Sequence, residues 1–314
     1  MKKERRQKRG KRTIYQEIMK SRTLIMMCLP VIIFFFVFNY IPLRGIYIAF
    51  TDYNYRDGIF GSPFVGLSNF RFLFQSGKIW MLTRNTILYN LAFIIMGNVL
   101  AIFIAVLLNE LHSKLFKKVS QTIMFLPYFI SAVLVGLLIY NLFSTDHGFI
   151  NSIISRLGGE NYNFYENPGI WPPIIILVYL WQQAGYSSVV YFASIMGIDE
   201  EIIQAAKVDG ANGFQKIYYI ILPSLKPTVV ILLLFAMGGI VRGNFGLIYN
   251  IVGSNSRLFP TTDIIETFVY RATMNDFNFQ TASAVGLYQS LFGFALVLFC
   301  NWVVKKIDPD YSLF

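Results

Sequence analysis

Residues 199–223 read DEEIIQAAKVDGANGFQKIYYIILP, and this stretch decides how the rest of the chain is understood. Asp199 suits a helix N-cap, and Glu200 and Glu201 suit the positive first turn behind it. Ile202 to Val208 supply two turns of helix, in which Ala205 and Ala206 form a small face that another protein can approach closely. Asp209 and Gly210 end that helix. A second helix is expected from Phe214 to Ile221, and Pro223 breaks it. A short helix–turn–helix held at both ends is stiff. An ordinary amphipathic loop reads much the same from local physics, so the flanking chain has to decide.

The flanking chain is apolar. Of 314 residues, 55% are hydrophobic, 17% aromatic and only 14% charged, with a mean hydropathy of +0.52. A water-soluble domain carries about 25% charged residues. A soluble enzyme and a disordered chain are both excluded on that ground. A membrane span needs about 20 mostly apolar residues, and six segments qualify: 24–43, 86–108, 120–143, 172–194, 225–247 and 282–304. Their runs are continuous rather than alternating, so the spanning elements are helices. The fold class expected is all-α, a polytopic membrane protein with six transmembrane helices.

The orientation follows from the cations. Ten of the 27 Lys and Arg fall in the first 22 residues. With the N-terminus inside, the segments 1–23, 109–119, 195–224 and 305–314 are about threefold richer in Lys and Arg than the outer segments 44–85, 144–171 and 248–281. Both termini are therefore expected in the cytoplasm. The basic N-terminal segment 1–23 reads as a retention signal and a partner for anionic lipid headgroups. An RNA-binding tail is the competing reading, and no aromatic platform accompanies it. The first apolar run continues through Asn39-Tyr40-Ile41-Pro42 without a small-residue cleavage site, so it reads as an uncleaved span. The expected organisation is a basic segment 1–23, a membrane domain 24–304 carrying the loop 195–223, and a tail 305–314. The aromatic stretch 64–74 is expected to lie on the outer leaflet with Trp80 as an anchor, and 144–171 to be irregular.

Chemical motifs are few. Cys28 and Cys300 sit in apolar runs, and His112 and His147 fall on opposite sides, so no disulfide or zinc cluster is expected. There is no phosphate-binding glycine loop, no dinucleotide fingerprint, no H-E-x-x-H and no G-x-S-x-G. Arg242 is the one charge well inside the spans, and Lys226 marks the inner edge of the fifth. No span contains Asp or Glu. An ion-driven carrier is expected to keep a carboxylate at membrane depth. The absence counts against that class.

Polar residues inside the spans are the candidates for a path taken by a polar solute, which binds to aromatic faces and to amide or hydroxyl groups. Tyr179, Gln183 and Tyr186 share one helix face, with Gln182 bordering it. The alternative for this face is hydrogen bonding between helices. Tyr128 follows Pro127 in the third span and is either a solute contact or a core tyrosine. In the fifth span Gly238, Gly239, Gly243 and Gly246 surround Arg242 and Asn244. Gly239 and Gly243 form a G-x-x-x-G, a close-packing pattern, unless the glycines loosen the helix instead. On a straight helix Arg242 lies roughly 26 Å beyond Leu225. From there it either snorkels to the outer interface or lines an outer cavity and favours an acidic solute. Asn90, Asn98, Tyr288 and Gln289 read as contacts between helices.

The loop resembles the EAA motif of binding-protein-dependent ABC importer permeases, whose pattern is E-A-A, three residues, Gly, nine residues, I-x-L-P. Here it stands as Gln204-Ala205-Ala206, Gly210 and Ile220-Ile221-Leu222-Pro223, with Gln204 in place of the usual glutamate. Leu126-Pro127-Tyr128, Trp181 and the stretch 64–70 resemble the maltose-type oligosaccharide branch. The basic N-terminus and Tyr40-Ile-Pro-Leu-Arg-Gly45 resemble its polysaccharide-uptake permeases. The resemblance covers about residue 24 to the C-terminus. It implies a type I importer permease fold and a non-catalytic subunit of a bacterial cell membrane that pairs with a second, related permease. It further implies two cytoplasmic ATPases that bind ATP and Mg, an extracellular solute-binding lipoprotein and an oligosaccharide cargo moved by alternating access. It implies ATPase coupling by Gln204, Ala205, Ala206, Asp209, Gly210, Leu222 and Pro223. It also implies sugar contacts at Tyr128 and around Tyr179 and Gln183. A membrane-embedded enzyme acting on lipid-linked sugars and a gated channel are the rival readings.

Overall fold

The computed structural model describes residues 22–307. The expected cytoplasmic ends fall mostly outside the described residues, at 1–21 and 308–314. Among the described residues there is no β-strand, only an isolated bridge between Thr51 and Phe64. Four helices are long and apolar enough to cross a membrane, and six spans result when each of two bent pairs counts as one.

Helix α1 (Arg22–Phe35) continues through a wider turn, Phe36–Tyr40, and a tighter one, Ile41–Phe50. Together they form a rod of 29 residues whose most apolar window is 0% buried. Most of the aromatic stretch 64–74 forms α2 (Ser68–Gln75), one face of which packs on the protein while Leu67, Phe74 and the nearby Trp80 stand exposed. Its Leu73 belongs to the core, and Phe70 meets Phe50 at 5.5 Å. Helix α3 (Lys78–Glu110) runs 33 residues without interruption.

The third expected span is not one rod. Helix α4 (Lys114–Phe125) passes into a tight turn at Leu126–Phe129, and α5 (Ala132–Phe143) leaves at 93° to it. Pro127 stands in the break, where it lacks an N–H to continue the ladder. Ser131 caps the new helix by accepting from the Leu134 amide at 3.4 Å. The loop read as irregular carries α6 (Phe149–Arg156). Helix α7 (Trp171–Met196) is the straight partner of α3.

After α7 come α8 (Glu200–Val208), α9 (Gly213–Lys216) and α10 (Lys226–Gly238), with a bend of 51° between Gly213–Ser224 and α10. The fifth expected span, 225–247, is corrected here. Its helix stops at Gly238, the chain turns through 239–244, and α11 (Phe245–Val252) starts afresh with Asn244 as its cap. Gly239 and Gly243 therefore do not pack one helix on another, and the straight-helix depth of Arg242 does not hold. Helices α12 (Ile265–Met274) and α13 (Phe279–Ile307) complete the chain.

Three apolar cores hold these elements. One joins α3, α5, α7 and α11 around Phe93, Val135, Ile175 and Leu247. A second packs α12 and α13 against the segment 41–50 and α3 through Ala49, Leu82, Phe268 and Val285. The third ties α3 and α7 to the base of 199–223 through Ala105, Tyr191, Ile195, Ile221 and Leu225. Gly185 permits α7 to cross the end of α4. A Cβ at that position would stand 1.8 Å from the Met124 carbonyl oxygen.

Candidate functional site

The stretch 199–223 folds as its capping residues dictate. Asp199 accepts from the Glu201 amide at 3.0 Å, and Lys207 lies in the last turn of α8. Asp209 caps the C-terminal end. Gly210 follows with φ +79°, a left-handed conformation that glycine adopts without strain. A capping box starts α9: the Gln215 amide donates to Asn212 Oδ1 at 2.8 Å, and the Asn212 amide to Gln215 Oε1 at 2.9 Å. The base is anchored by Ile221 and Leu225 in the third core. It is also anchored by Lys216, whose Nζ pairs with Glu110 at 2.7 Å.

No residue of α8 is buried. Gln204 and Ala205 are exposed, and Ala206 is half-buried. Val208 is 88% exposed, and Phe214 just beyond the turn is 75% exposed. Leu222 and Pro223 stand exposed at the base. An apolar surface of this kind, held out on a fixed base, marks an interaction site.

The two breaks in the spans form the second half of the site. Non-helical backbone at membrane depth survives only where protein or a water-filled cavity satisfies it. Both breaks meet that condition in the same way. Gln182, buried on α7, donates Nε2–H to the Ile130 carbonyl at 2.9 Å. Gln289 on α13 donates Nε2–H to the Val241 carbonyl at 2.9 Å. Each broken span thus has one exposed carbonyl capped by a glutamine from an unbroken neighbour. Gln182 is accordingly committed to the frame of the site.

Tyr179, Gln183 and Tyr186 line one cavity of about 210 Å³ between α3, α7 and α10. The Gln183 amide makes no hydrogen bond among the described residues. Tyr128, in the break of the third span, stacks on Tyr186 with ring centroids 4.3 Å apart and planes 8° from parallel. Tyr179 stacks on Phe93 at 3.9 Å, and that pair is shared with a second cavity of about 430 Å³. Asn90, Arg242, Asn244 and Glu266 supply its polar lining. Asn244 also caps α11, accepting from the Leu247 amide at 3.2 Å. Of the contacts expected between helices, Tyr288 hydroxyl meets Thr83 Oγ1 at 3.0 Å and Tyr191 hydroxyl meets Asn98 Oδ1, whereas Asn90 donates to the Thr86 carbonyl of its own helix at 2.8 Å.

Glu266 escaped the sequence reading. Hydropathy assigns it to the loop 248–281, and only the fold brings the start of α12 against the turn 239–244. Burial pushes its carboxyl above the ordinary glutamate range. Arg242, the Phe245 amide and Gln289 act in the opposite direction.

Residues 97–312 match the family described as the binding-protein-dependent transport system inner membrane component. The chain belongs to that family. This permease is 35% identical over 304 residues to the polygalacturonan/rhamnogalacturonan transport system permease protein YteP of Bacillus subtilis (strain 168), covering 96% of this chain and 94% of YteP. It is 29% identical over 291 residues to protein LplB of the same organism, covering 93% and 91%. Among solved structures it matches a chain from a bacterial ABC transporter involved in the import of the acidic polysaccharide alginate. That match has a TM-score of 0.84 and 32% identity over 94% of this chain and 99% of the other. A bacterial alginate ABC transporter in complex with an alginate pentasaccharide-bound periplasmic protein matches with a TM-score of 0.82 and 32% identity. The permease is thus an all-α membrane subunit of an ABC importer, as its loop implied.

Proposed function

We propose that this permease forms one half of the pore of an ATP-driven importer that moves an oligosaccharide into a bacterial cytoplasm by alternating access. It pairs with a second, related permease and catalyses no reaction itself. The membrane domain is 24–304, and the ends 1–23 and 305–314 lie in the cytoplasm beside the loop 195–223. An extracellular solute-binding lipoprotein delivers the sugar. Two cytoplasmic ATPases hold ATP and Mg, and each permease offers one of them the face made by Gln204, Ala205, Ala206, Asp209 and Gly210, with Leu222 and Pro223 at its base.

One observation carries this reading: a chain without a nucleotide motif presents a capped helix, α8, no residue of which is buried. The base of that helix is fixed to α3 and α7 through Lys216–Glu110 and the third core. A push on α8 therefore reaches the helices that line the cavities. The sugar path is assigned to Tyr128, Tyr179, Gln183 and Tyr186, whose aromatic faces and free amide suit a pyranose. Gln182 holds the frame, and Arg242 and Asn244 stand at the polar end. Arg242 favours a sugar that bears a carboxylate.

Co-purification from native membranes, with mass spectrometry of partners and bound sugar, tests the assembly. Recovery of a second permease, an ATPase and a saccharide is the expected result. A chain that moves sugar in liposomes without ATP would instead be a channel. Cross-linking that places α8 outside the cell, or away from any nucleotide-hydrolysing subunit, would refute the proposal.

A further inference from the structure

Arg242 stands exposed on the non-helical turn between α10 and α11 and lines a cavity of about 430 Å³. Small-molecule sites commonly occupy about 300–1,000 Å³. The Arg242 guanidinium makes no hydrogen bond or ion pair among the described residues. Glu266 lines the same cavity and feels the arginine's charge, yet the two are not in ion-pair contact. Glu266 is held back at the start of α12, beside the Phe245 amide and Gln289. Gln289 in turn is fixed by its hydrogen bond to the Val241 carbonyl.

The other charges around α12 are already engaged. Asp263 binds Arg271 at 2.6 Å, Arg271 lies over the Phe259 ring at 3.9 Å, and Lys78 lies over the Phe268 ring at 4.7 Å. The cavity therefore holds one cation and one anion that balance in sum and do not touch. A guanidinium left with its planar fork open is a bidentate site for a carboxylate.

We infer that Glu266 is the specificity-determining counterpart of Arg242, balancing the arginine while the cavity is empty and setting how strongly a uronate carboxylate on the sugar is held there. This rests on the oligosaccharide path proposed above. The stacked Phe93–Tyr179 pair receives the sugar face, Arg242 takes the carboxylate, and Glu266 opposes it across the cavity. The opposition keeps an acidic sugar from being held so tightly that it is not released. A neutral sugar meets no such opposition and gains nothing from the arginine.

The test uses the full importer in nanodiscs, without its binding protein. Calorimetry compares trisaccharides of galacturonate and mannuronate with their methyl esters, which replace each charge by a small neutral group. The wild type is expected to prefer acid over ester. Glu266→Gln removes the opposing charge and should raise that preference roughly tenfold, the scale of one screened charge across a cavity. Glu266→Asp should stay near the wild-type ratio, and Arg242→Gln should lose the preference. A Glu266→Gln variant that weakens acid and ester by the same factor would show a merely structural role and overturn the inference. So would an Arg242→Gln variant that still prefers the acid. ATP-driven uptake with the binding protein separates the two proposals. Uptake of both forms with equal affinity by the wild type leaves the importer reading intact and removes this one. Uptake of no saccharide removes both.

Discussion

The loop 199–223 and the two broken spans are built on opposite plans. The loop is specified by its own residues. Asp199, Asp209, Gly210 and the Asn212–Gln215 box each act on backbone within a few positions, and α8 needs no neighbour. The breaks at 126–131 and 239–244 are specified by other helices. Their carbonyls are capped by Gln182 and Gln289, 52 and 48 residues away. A part that a partner must grip is made self-sufficient and left bare. A part that must line a pore is irregular, and only its surroundings hold it.

That contrast predicts where substitutions act. The largest effect is expected at Gly185, where a new Cβ would collide with backbone rather than with a movable side chain. Gly185→Ala should cost up to about 3 kcal/mol, read as a lower midpoint of thermal unfolding of the purified assembly. Unchanged unfolding would mean that α4 and α7 are free to separate. Next comes Gly210→Asp. Insertion and folding should survive, because nothing surrounds Gly210 and the left-handed φ of +79° costs an aspartate only about 1–2 kcal/mol. Uptake should fall roughly 30-fold, the equivalent of about 2 kcal/mol lost at an interface anchor. Normal uptake would remove the docking role.

Adjacent glutamines sharpen the comparison further. Gln182→Leu orphans the Ile130 carbonyl and should cost about 1–2 kcal/mol of stability. Gln183→Leu breaks no hydrogen bond among the described residues and should leave stability near wild type while reducing sugar uptake. Equal thermal shifts in the two variants would contradict the division between frame and cavity. The smallest effect is expected at Lys216→Ala, which removes a partly exposed ion pair with Glu110. Such pairs contribute about 0–1 kcal/mol, so transport should change little except at low salt.

Much of this was legible in residues. Composition and runs of apolar residues gave a helical membrane protein, and the caps gave the start and end of α8. Tyr179, Gln183 and Tyr186 share a face by spacing alone, and they do line one cavity. The fifth span was misread because 225–247 is apolar throughout, and hydropathy does not distinguish a straight helix from one interrupted at Gly239. The glycines carried the signal, since four of them surround Arg242. A G-x-x-x-G spacing nonetheless reads equally as packing. Pro127 similarly marked a weak point in the third span without giving the size of the bend.

By itself the sequence determined what depends on transfer from water and on local capping: the number of spans, their helical nature, the charge bias of the loops and the shape of 199–223. Those terms involve neighbours in the chain or the solvent alone. Only the tertiary structure decided which carbonyls go unpaired at the breaks, which glutamine reaches them, and that Glu266 faces Arg242. Hydrogen bonds and charges act over a few ångströms in space, and folding sets that separation independently of distance along the chain.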